Sequence, residues 1–144
     1  MPFMGATGTP NKIVKTITFT GGNNLGELDA PTVTFFTVTG EVLILFIIPF
    51  CTVDLVSAGG GTLLLGITGS TSFFLGSTTA TALDAGEFWT NATPVANGVA
   101  LPAGFKDIIT TDDVIGTVGV ADITGGALRF TAYWLPISED GNLT

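Results

Sequence analysis

The sequence predicts an all-β fold: a single antiparallel β-sandwich, jelly-roll-like, of about seven to nine strands. A flexible arm is expected at its N-terminus. Three observations carry this reading. Several segments alternate apolar and polar residues with a period of two, as half-buried strands do. Clusters of Gly, Asn and Asp punctuate them at turn positions. No window presents apolar residues at helical spacing.

Taken in order, Ile13–Thr20 places Ile17 and Phe19 on one face and Thr16, Thr18 and Thr20 on the other, and Gly21-Gly22-Asn23-Asn24 ends it. Pro31–Thr39 alternates Val33 and Phe35 with Thr32 and Thr34. Gly40 then separates it from the apolar run Glu41–Val56. Within that run Val42–Val53 is the most apolar stretch, yet it is too short for the roughly 20 residues of a spanning helix. Its Ile, Val and Phe content suits a long buried strand. Gly59-Gly60-Gly61 breaks the run before Thr62–Ile67, and the Thr/Ala-rich piece Gly76–Asp84 is read as a turn of helix or an irregular crossing. Val114–Val120 and Ala127–Leu135 read as a final pair joined by a turn containing Gly125-Gly126. Leu128, Phe130, Ala132 and Trp134 share one face of the last strand. Phe130 and Trp134 are therefore expected to be buried against the apolar residues of Val42–Phe50. With no internal repeat or linker, residues 13–144 form one domain. Residues 1–12 form the arm, with Phe3 and Met4 as apolar anchors for a partner.

Composition narrows the chemistry. Among 144 residues only four are basic (Lys12, Lys15, Lys106, Arg129) against twelve acidic, a net charge of −8, and there is no His. Without His there is no Ser-His-Asp or Cys-His catalysis and no imidazole ligand. Four cations cannot neutralise a phosphate backbone, so nucleic-acid binding is not expected. The N-terminal residues lack the basic region and apolar core of a secretory signal, so the chain is expected to act without export and without a membrane.

The carboxylates are the remaining reactive groups. Asp84 with Glu87, or the Asp107, Asp112 and Asp113 cluster, would need to face each other across a cleft to act as an acid pair. Asp112-Asp113 lacks the spacing of a calcium loop and reads as solvated turn acids. Gly59-Gly60-Gly61-Thr62 lacks the Lys of a phosphate loop. Cys51, beside Phe50 in the apolar run, reads as a buried inert thiol. No enzyme activity, metal or cofactor is expected. Trp134 belongs to the core, and Trp89 in Glu-Phe-Trp is a candidate for either core or partner contact. Apolar residues make up 46% of the chain while charged residues make up 11%. That surplus of apolar surface, on faces rich in Thr and Gly, suits a subunit of an assembly. Cyclic symmetry would close such contacts, and a homotrimer is the expected state.

The segments Thr37-Val38-Thr39-Gly40-Glu41-Val42 and Thr81–Trp89 with Ala92-Thr93-Pro94 resemble small proteins encoded among the virion genes of tailed bacteriophages. Asp113–Val118 and the ending Trp134-Leu135-Pro136-Ile137-Ser138 fit the same pattern. The likeness runs from about Val33 to Ser138. It implies a capsid decoration or cement protein on the virion surface, assembled in the host cytoplasm. Its partners would be itself and the major capsid protein. The family supplies no catalytic residues. A second reading is a head-fibre or tail-tip sandwich that recognises a host glycan through Trp89, Tyr133 and nearby acids.

Overall fold

Residues 9–144 are described by a computed structural model, and twelve strands lie among them. They are β1 (Asn11–Thr18), β2 (Thr32–Phe36), β3 (Val38–Thr39), β4 (Val42–Val56), β5 (Thr62–Ile67) and β6 (Ser70–Thr79), followed by β7 (Glu87–Phe88), β8 (Val95–Ala96), β9 (Lys106–Thr110), β10 (Val114–Gly119), β11 (Gly125–Pro136) and β12 (Asn142–Leu143). Eight have five or more residues, which matches the expected number, and four are two-residue pieces. One of two 3-10 turns among the described residues, Ala80–Ala82, falls where the Thr/Ala-rich crossing was expected, and the other is Ala103–Phe105. The first strand opens at Asn11, so residues 11 and 12 belong to the sheet rather than to the arm.

Every ladder is antiparallel. One sheet runs β1-β11-β4, with β9 and then β7 sharing the far side of β4 and β8 lying outside β7. The second runs β2-β10-β5-β6, and β3 pairs with β12. Among the eight longer strands, only the β5–β6 connection stays within a sheet. Every other step crosses from one sheet to the other, so the chain winds back and forth between two antiparallel layers.

That winding corrects one expectation. β10 and β11 are not a hairpin pair: β10 lies between β2 and β5, and β11 between β1 and β4. The chain crosses between sheets through residues 120–124. Gly126, with φ +98, lets β11 start against the backbone of Asp54 and Leu55, a position closed to any side chain.

The core lies between the sheets. Phe130 stacks on Phe35 at 4.1 Å between ring centroids and meets Phe36 edge-on at 6.2 Å. Phe130 and Trp134 are buried as expected. Their strand, however, lies beside Val42–Phe50 in the same sheet, and Phe130 faces β2 of the other sheet. Gly116 makes room for this stack, since a Cβ there would sit 2.8 Å from the Phe35 ring.

β4 has no simple alternation because it carries a bulge. Tyr133 pairs with Phe46 and Trp134 with Ile44, leaving Leu45 unopposed. The inward set therefore changes phase, from Val42 and Ile44 to Ile47, Pro49 and Cys51. The outward set becomes Phe46, Ile48 and Phe50. Pro49 in mid-strand costs nothing here. Its carbonyl accepts from Trp89 N at 3.0 Å, so its nitrogen faces the same side, in the gap between β9 and β7 where no ladder needs a donor.

Candidate functional site

Registers through β1, β11, β4 and β9 or β7 define the outward face of the first sheet as a set of cross-strand rows. Leu135, Leu43 and Ile109 form the first. Lys12, Tyr133, Phe46 and Lys106 form the second. Val14, Thr131 and Ile48 form the third, and Thr16, Arg129, Phe50, Phe88 and Val95 the fourth. Directly opposed residues in a ladder share a face, so these side chains are neighbours.

Aromatic rings occupy the middle of this face. Phe46 stacks on Tyr133 at 4.9 Å, and Phe50 tilts against Phe88 at 5.0 Å. The cations lean on them: Arg129 lies 4.7 Å above the Phe50 ring and Lys12 5.9 Å from that of Tyr133. Such contacts hold a charge in place over an apolar surface without burying it. Three of the chain's four basic residues are thus on one sheet face of a molecule with net charge −8. Ile109, in the first row, is 73% exposed.

Where β4 passes from β9 to β7 the sheet leaves a pocket of about 150 Å³. Ile48, Phe88, Val99 and Leu101 give it apolar walls, and Thr90 and Asn97 add polar groups. Thr90 is 4% exposed, and its hydroxyl is buried without a hydrogen-bond partner. A buried hydroxyl left unpaired costs about 1–3 kcal/mol, so this one calls for a partner.

Of the contact residues expected from sequence, Phe3 and Met4 lie outside the described residues. Trp89 is corrected. It is fully buried, and its indole N–H donates to the Thr78 hydroxyl at 3.0 Å, so it joins the core and cannot stack on a partner or a sugar. Its neighbour Phe88 takes the outward position instead. Tyr133 is on the outward face, packed against Phe46.

The acidic groups act as local structural ties. Asp112 accepts from Gly69 N at 2.9 Å and Asp113 from Val38 N at 2.8 Å, so each holds a different loop. Glu87 accepts from Asp84 N at 2.9 Å, and Asp54 from Ala85 N at 2.7 Å. Among the described residues no group of three or more His, Cys, Asp or Glu could hold a metal ion. No described helix is long and apolar enough to cross a membrane. Cys51 is buried, and its thiol donates to the Val53 carbonyl at 3.1 Å. Burial pushes the thiol up from 9.0 to about 11, and the charges of Asp54, Asp84 and Glu87 act in the same direction. At neutral pH it is protonated and unreactive.

Sequence reasoning missed the outward aromatic face. The signal lay in Phe46, Ile48 and Phe50, whose common orientation appears only once the bulge at Leu45 is known.

No family model matches the chain, and no curated protein matches it. Among solved structures, a chain of the cyanophage Pam1 capsid asymmetric unit is similar, with a TM-score of 0.53 and 19% identity. The likeness covers 94% of this chain and 93% of that one. The two share a fold almost from end to end.

Proposed function

We propose that the chain is a non-enzymatic structural protein of a tailed-phage virion, seated on the outside of the capsid and clamping neighbouring major capsid subunits. The observation that carries this reading is the outward face of the β1-β11-β4 sheet. A soluble domain rarely leaves aromatic rings, aliphatic side chains and a pocket together on one flat face unless another protein covers them. The fold it shares with a chain from a cyanophage capsid assembly supports the virion setting. So does the resemblance of its own segments to phage decoration proteins.

In this reading the protein assembles in the host cytoplasm as a homotrimer and joins the shell. The uncharged segment before Asn11 reaches a capsid subunit, with Phe3 and Met4 as its anchors. A cryo-EM reconstruction of intact particles tests the proposal. The expected result is density for this sandwich repeated over the outer shell in many copies. A few copies confined to the tail or to one vertex would overturn it in favour of a fibre or tail-tip module.

A further inference from the structure

We propose that the pocket on the outward sheet face receives a second copy of this chain, which inserts the acidic, apolar tip formed by the loops around Leu28 and Val120. This names the partner of the face described above and rests on its being a protein contact surface.

The tip is built to hold apolar side chains out of the core. Leu28 is 38% exposed and Val120 68% exposed. Their loops are tied together, because Leu28 N donates to Asp122 Oδ1 at 2.8 Å. Val120 has a φ of +70, and Ala121 N donates to Gly119 O at 2.8 Å, closing a three-residue turn around it. A β-branched residue in that backbone region is strained, a cost of order 1–3 kcal/mol that sites of contact commonly carry. Exposed apolar side chains on a tied, strained turn are preorganised for insertion and lose little freedom on binding.

Charge chooses the partner. Glu27, Asp29 and Asp122 surround the tip. Lys106 and Arg129 flank the pocket: one pairs with Phe46 and the other with Phe50, the outward positions on either side of Ile48. Cations beside the pocket and carboxylates around the tip, on a chain of net charge −8, favour another copy of the same chain, joined head to tail. Size agrees as well. The pocket's volume of about 150 Å³ is on the scale needed for one Leu or Val side chain, and its apolar walls suit such a guest. Because the two contacting surfaces differ, the contact is heterologous and builds a ring where its rotation closes, rather than a two-fold dimer.

Sedimentation velocity on two charge-reversed variants and their mixture tests the contact. Lys106→Glu with Arg129→Glu reverses the pocket rim, and Glu27→Lys with Asp29→Lys reverses the tip. All four side chains are outside the core, and circular dichroism checks that each variant is folded. Wild-type protein should associate, and each variant alone should associate at least roughly tenfold more weakly. The equimolar mixture should recover association, because reversed rim meets reversed tip. Wild-type protein that remains monomeric, variants that associate as wild type does, or a mixture that stays dissociated would each overturn the proposal. Binding of the same proteins to undecorated shells separates this from the virion reading. A chain that binds shells without self-association overturns the ring contact alone. A chain that self-associates through the tip but ignores shells overturns the capsid reading alone.

Discussion

The two outer faces of the sandwich are built from opposite materials. Strands β2, β10, β5 and β6 contain no charged residue. Their outward rows combine Thr34, Ile115 and Gly66, then Thr32, Thr117 and Leu64. The opposite sheet contains all four of the chain's basic residues on β1, β9 and β11. Its outward side carries the stacked Phe46–Tyr133 and Phe50–Phe88 pairs. Both faces cover the same core, so the difference is not needed for folding. An uncharged face of Thr, Gly and aliphatic side chains offers no charge to recognise, whereas a face of rings and cations with a pocket has both shape and charge. The second is the face on which the proposed contact draws.

The sharpest test of this separation lies between the faces. Phe130→Ala removes the ring that stacks on Phe35 and should destabilise the protein by about 3–5 kcal/mol in denaturant unfolding. A smaller loss would mean that the core does not depend on the stack joining the two sheets. Trp89→Phe is next: it keeps most of the buried volume but leaves the Thr78 hydroxyl without its donor. An expected loss of about 1–3 kcal/mol, with shell attachment intact, would separate core Trp89 from contact function. Cys51 supplies a pH test of the same interior. Its folded pKa is raised, so folding favours the protonated thiol. That contribution is complete below pH 9.0 and is lost as pH rises toward about 11. Thermal melts of wild type and Cys51→Ala should diverge less at pH 10.5 than at pH 8. The smallest effects on stability belong to the outer faces. Arg129→Glu and Thr34→Lys should each shift unfolding by about 1 kcal/mol or less. Only the first should weaken self-association in sedimentation velocity. Equal effects on binding would break the comparison.

How much of this was legible in the sequence depended on how each strand meets its neighbours. Alternation in β1 and β11 assigns faces correctly, because both strands have one side on the core and the other outside. Phe19, Phe130 and Trp134 fall inward as their spacing implies. In β4 nearly every residue is apolar, so no alternation reports which side is which, and the bulge at Leu45 changes the phase midway. The outward aromatic face and the pocket beside Ile48 were hidden for that reason. Pairing across sheets was equally hidden. Adjacent segments joined by glycines look like a hairpin, yet β10 and β11 lie in opposite layers. Trp89 offered no periodic context at all, since β7 is only two residues long and the Thr78 that accepts its indole N–H is eleven residues away.

The ladder between β1 and β11 sets an order of events. Asn11 pairs with Trp134, so the strand synthesised first acquires its partner last. At roughly 5–20 residues per second, that wait lasts on the order of ten seconds. The β5–β6 hairpin can form from neighbouring segments during this interval, while β1 has nothing to join. A chain interrupted before β11 therefore has no docked β1 and lacks the strand that joins β1 to β4. The order of synthesis thus withholds the rows shared by β1, β11 and β4 until β11 has emerged.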